Sequence, residues 1–85
     1  MPYIKKQRRE DLFNDLVLME NWTAGDFNYV VSAGINEYLE ANGVCYENIN
    51  KLIGVLECAK LELYRRVAAD YEDSKLTSNG DVYSV

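Results

Sequence analysis

Residues 46–76, YENINKLIGVLECAKLELYRRVAADYEDSKL, contain no proline and a single glycine, Gly54. At about 100° per residue, Ile49, Leu52, Ile53, Val55, Leu56, Ala59, Leu63, Tyr64, Val67 and Tyr71 fall on one face about 180° wide, which predicts one long helix. A face that broad is more than a single partner helix covers. Lys60 falls near its middle and Arg66 on its edge, and charged groups are seldom left in apolar surroundings unless something pairs with them. These basic residues are the strongest pointer to a site.

Working outward from this helix, Val44-Cys45 reads as a short linker, and Tyr46 or Asn48 starts the helix. Before it, Phe27, Val30, Val31, Gly34, Ile35, Tyr38 and Leu39 mark a second helix, begun by an N-cap at Thr23 or Asp26 and ended at Asn42-Gly43. Gly34 costs about 1 kcal/mol against alanine inside a helix, so it is expected to permit a close helix crossing. The same reading applies to Gly54. A first helix is predicted from about Arg8 to Glu20, where Leu12, Phe13, Leu16, Val17 and Met19 recur at helical spacing and Glu10, Asp11, Asn14 and Asp15 face the other way. The opening MPYI is extended by Pro2. In the tail TSNGDVYSV, the turn pair Asn79-Gly80 precedes Val82 and Tyr83, so the tail is expected to fold back on the body or to pair with MPYI in a minor two-stranded patch. The predicted fold is therefore all-α: a single three-helix domain over residues 1–85 with a long C-terminal helix, extended ends at 1–7 and 77–85, and an oligomeric state.

Oligomerisation also follows from size, because 85 residues lie below the length at which one core is comfortable and a second chain supplies what is missing. A content of 48% hydrophobic and 27% charged residues excludes disorder of the whole chain. The net charge of −5 argues against general nucleic-acid binding, which needs a basic surface. The positive charge is uneven: Lys5, Lys6, Arg8 and Arg9 open the chain with no acid among them. No histidine is present, which removes the commonest general base and every Ser-His or Cys-His arrangement. Cys45 and Cys58 lack the spacing of a zinc site and are expected to be reduced thiols. No apolar run reaches bilayer length and no signal-peptide pattern opens the chain, so a cytoplasmic, non-membrane protein without a cofactor is expected.

Each candidate site has a functional and a structural reading. Lys60, Tyr64, Arg65 and Arg66, with Tyr71 further along, form an anion pocket if an arginine supplies a planar donor fork, Lys60 a point charge and a tyrosine a stacking face, which suits a phosphate or nucleotide. The competing reading is a set of ion pairs within one helix, since Glu57 stands three residues before Lys60 and Glu62 four before Arg66. Seven tyrosines against two phenylalanines is a bias suited to interfaces and stacking pockets, or to the rim of a small core. Asn79 and Asp81 offer polar groups at the tail turn, where turn chemistry alone also explains them. Carboxylate pairs such as Glu57 with Glu62 or Asp70 with Asp73 have nothing to place water or substrate between them, so no catalytic residue is assigned and no enzyme is expected.

The segments MPYI, GDFNYVV, INKLIGVLECAKLELYRRV, YEDSK and above all NGDVY resemble a family of small proteins of unknown function encoded by tailed phages and prophages. The resemblance implies a phage setting, expression in the host bacterial cytoplasm and an accessory role. By analogy with small acidic phage proteins, it implies counter-defence by sequestering a nucleotide-type signal as a homo-oligomer. The alternative is a protein-protein interaction module that inhibits a host protein through its tyrosine surface and basic N-terminal segment.

Overall fold

Thr23 begins the first of two long helices. Its backbone is extended, its side chain accepts from the Asp26 amide at 3.1 Å, and the Asp26 carboxylate accepts from the Thr23 amide at 2.9 Å. The two residues thus cap each other. Trp22 immediately before the cap meets Phe27 edge to face at 6.0 Å between ring centroids, a hydrophobic staple that sets the angle at which the chain enters the helix.

The computed structural model describes residues 2–12 and 19–85. Their elements are α1 (Lys6–Leu12), α2 (Ala24–Asn42), α3 (Tyr46–Leu63), a π turn (Tyr64–Ala68) and α4 (Ala69–Asn79). The last three form one continuous rod, which at about 1.5 Å per residue spans about 50 Å, the longest dimension of the molecule being 50 Å. No described helix is long and apolar enough to cross a membrane.

The periodicity of the sequence is thus expressed as helix, with four differences. The first helix begins at Lys6 rather than Arg8, and Met19 and Glu20 are not helical: a turn there is closed by the Trp22 amide donating to the Met19 carbonyl at 3.1 Å. The staple and cap that follow require an extended Thr23, so the chain turns before reaching it. Phe13, Asn14, Asp15, Leu16 and Val17 of the predicted pattern lie outside the described residues. Second, helix continues to Asn79, so the extended tail starts at Gly80 rather than at residue 77. Third, no strand forms among the described residues: Tyr3 of MPYI bonds to Glu62 in α3, and the tail turns back beside α4. Fourth, nothing lies within 4 Å of where a Cβ would stand on Gly34 or Gly54, so neither marks a helix crossing among the described residues.

Gly43 and Gly80 close their helices in the same way. With φ of 100° and 89° they occupy backbone conformations that glycine reaches without strain, and each amide bonds back to the carbonyl four residues earlier, Leu39 and Leu76. Asn48 then stitches the α2–α3 connection by donating from Nδ2 to the carbonyls of Asn42 and Gly43, at 3.2 and 2.9 Å.

The π turn interrupts the predicted apolar face. The Ala69 amide bonds to the Tyr64 carbonyl five residues back, so one extra residue is accommodated and everything after it rotates by about 100° relative to a continuous α-helix. Ala68 and Ala69 are consequently half-buried while Val67 and Tyr71 are exposed.

Packing within the chain is sparse. No described residue is buried. The exposed surface is 7962 Å², whereas a folded monomer of 9.8 kDa exposes about 5,200 Å². The radius of gyration, 17.2 Å, likewise exceeds the value of about 12 Å for a compact chain of this length.

Candidate functional site

The side chains that meet across the fold gather where α3 passes into the π turn. Glu62, the last acidic residue of α3, accepts on Oε1 both from the Tyr3 hydroxyl and from the Arg65 guanidinium, the latter at 2.8 Å. With its side chain 23% exposed, Glu62 is the least exposed member of any ion pair among the described residues. The Tyr3 bond, aided by the Arg65 bond, holds the Glu62 carboxyl below the usual glutamate range. The same bond raises the Tyr3 hydroxyl above the usual tyrosine range, since a hydroxyl donating to a carboxylate resists losing its proton. On its other side the N-terminal segment is braced by Arg9, whose Nε donates to the Ile4 carbonyl at 2.8 Å.

Tyr64, Arg65 and Arg66 lie within the π turn itself, and Lys60 one turn before it. Arg65 is engaged by Glu62, and Lys60 by Glu57 at 3.3 Å. Among the described residues no carboxylate lies within ion-pair distance of Arg66. The pair at Lys60 is the one expected from helix spacing, whereas Glu62 pairs with Arg65, three residues on, rather than with Arg66. Both cations are solvent-exposed, and ion pairs made at such positions contribute little to stability. That is too little to hold either cation against a better anionic partner. Tyr64, 62% exposed, offers an open ring face beside them.

Asn79 and Asp81 belong to a second cluster, and Tyr71 lies between the two. Lys75 stands over the Tyr71 ring at 5.4 Å. Asp81 accepts from the Tyr83 amide at 2.9 Å, a turn that brings the tail back beside α4 and leaves a cleft of about 310 Å³ lined by Asp73, Lys75, Leu76, Asn79, Asp81 and Tyr83. Arg65 and Asn79 are fourteen positions apart on one rod, about 20 Å along its axis. A single copy therefore presents Lys60, Tyr64, Arg65 and Arg66 together and Asn79 and Asp81 elsewhere, with Tyr71 between them.

Residues 1–82 match a family described as a domain of unknown function (DUF6899). The chain belongs to this family. The match takes in both clusters, from Tyr3 to Asp81. No curated protein and no solved structure matches the chain.

Tyr3 and Lys75 are the participants that sequence reasoning missed. Lys75 had a signal, since it follows Tyr71 by one helical turn. Tyr3 had none, because its partner is 59 positions away.

Proposed function

We propose that the protein is a non-catalytic phage accessory protein that acts in the bacterial cytoplasm as a homo-oligomer. It binds a phosphate-bearing, nucleotide-type ligand and withdraws it from a host defence response. The observation that carries this reading is the coincidence of the π turn with Tyr64, Arg65 and Arg66, since single π turns within α-helices are frequent at functional sites. In this reading the arginine forks take the phosphate, Lys60 adds a point charge, and Tyr64 or Tyr71 stacks on the base. Sequestration asks only for binding, so no bond needs to be made or broken. The homo-oligomer is supported by the exposed surface, far above that of a folded monomer of this mass. The phage setting is supported by the resemblance of MPYI, the helical centre and NGDVY.

Calorimetry against cyclic and linear nucleotides tests the reading. A hydrogen bond to a charged group contributes about 1.5–3 kcal/mol, so Arg65→Ala or Arg66→Ala is expected to weaken binding roughly ten- to a hundredfold. Neutralising Lys5, Lys6, Arg8 and Arg9 is expected to change it little. No heat with any nucleotide, together with capture of a single host protein that depends on those four residues, moves the conclusion to the interaction module.

A further inference from the structure

The exposed side of α3 carries a second pattern within its broad apolar face. Ile49, Ile53, Leu56, Lys60 and Leu63 follow one another at intervals of four, three, four and three, the spacing of a coiled-coil seam. Four of these residues are apolar, and Lys60 is the one polar member. Among the described residues nothing closes over the stripe: Ile53 is 59%, Leu56 43% and Leu63 63% exposed. The chain exposes about 2,800 Å² more than a folded monomer of its mass, whereas a standard interface takes only about 800 Å² from each partner. A surplus of that size fits an obligate contact with a second copy.

We propose that a second copy of the chain seats along this stripe with its own α3 antiparallel, so that Lys60 of each copy reaches Glu57 of the other. The inference rests on the homo-oligomeric part of the function proposed above and names its surface and direction. Charge decides the direction. In a parallel, in-register pair, Lys60 would lie against the Lys60 of the second copy, two ammonium groups facing each other across an apolar seam. In the antiparallel pair centred near Cys58, Ile53 meets Leu63, and Lys60 lies beside Leu56 with Glu57 within reach. Each lysine then exchanges its own Glu57, held at 3.3 Å, for the equivalent carboxylate of the other copy. A single polar residue in such a seam fixes register at a cost in stability. The seam ends before the π turn, so Tyr64 and Arg66 of the anion cluster flank the interface while Lys60 lies within it.

Two measurements test this on the full chain. Sedimentation equilibrium at micromolar concentration is expected to show a dimer or a multiple of it. A species of 9.8 kDa alone would mean that the stripe is covered from within the chain, overturning both the interface and the homo-oligomer. Disulfide trapping reads the direction in a Cys45→Ser, Cys58→Ala background. Ile53→Cys with Leu63→Cys is expected to give covalent dimer, and neither substitution alone. Covalent dimer from the single variants overturns the antiparallel seam, and an oligomer trapped by none of the three overturns the surface, while either result leaves the oligomer standing. As a third readout, Lys60→Leu is expected to raise the thermal midpoint of the assembly. An unchanged midpoint would place Lys60 in solvent and overturn the seam.

Discussion

Glu62 holds Tyr3 and Arg65 through one oxygen, and the direction of each shift fixes how that clasp responds to pH. The Glu62 carboxyl lies below its usual range, so its contribution is fully present above the usual glutamate range and is lost as pH falls through the lowered value. Tyr3 lies above its usual range; its contribution is present below that range and is lost as pH rises through the raised value. The N-terminal segment is therefore expected to stay docked across neutral pH and to release at both extremes. Amide chemical shifts of residues 3–5 followed through a pH titration check this, and Tyr3→Phe should flatten the acid limb by removing the donor. Shifts in the wild type that do not move at acid pH would show that the hydroxyl bond does not hold the segment. At the start of α2, Thr23 and Asp26 satisfy each other's amides, and Thr23→Ala is expected to cost about 1 kcal/mol of stability, read from the urea midpoint at unchanged slope.

At the scale of the element, the π turn decides which side of the rod each later residue faces. Deleting one residue from 64–68 lets the segment return to α-helical bonding and rotates α4 by about 100° relative to α3. Circular dichroism should show helicity retained or raised, because the rod gains regular bonding. Nucleotide binding should nonetheless fall as far as it does in Arg66→Ala, since Tyr71 and the arginines no longer share their present arrangement. Retained affinity in the deletion variant would separate the π turn from the site.

At the scale of the molecule, a chain that exposes 7962 Å² and buries none of its described residues has little to oppose the entropy of unfolding by itself. In the proposed oligomer folding and association are one equilibrium, so the thermal midpoint is expected to depend on protein concentration. A hundredfold increase in concentration contributes about 2.7 kcal/mol, which for a dimer of this size raises the midpoint by about 5–10 °C. Calorimetric scans over that range check it, and a midpoint independent of concentration would contradict coupled folding. The thiols of Cys45 and Cys58 are exposed and unpaired, so Cys45→Ser with Cys58→Ala is expected to leave assembly and ligand binding unchanged.

The sequence by itself determined what arises between near neighbours. The helical pattern from Phe27 to Leu39 and from Ile49 to Leu63, the cap at Thr23, the stop at Asn42-Gly43 and the pairing of Lys60 with Glu57 depend on spacings of a few residues, which helix geometry converts directly into contact. Even the return of the tail follows from local bonding, of the Gly80 amide to Leu76 and of Asp81 to the Tyr83 amide. Only the tertiary structure decided what joins distant positions or breaks the period. Tyr3 finds Glu62 across 59 positions, and no local preference encodes that meeting. The π turn is a shift in backbone bonding from four residues to five, invisible to a count made at a constant angle, and it sets Val67 and Tyr71 apart from the face to which periodicity assigns them. The separation of Asn79 and Asp81 from the arginines has the same origin: residues near in chemistry are held apart by a rod that does not bend back on itself.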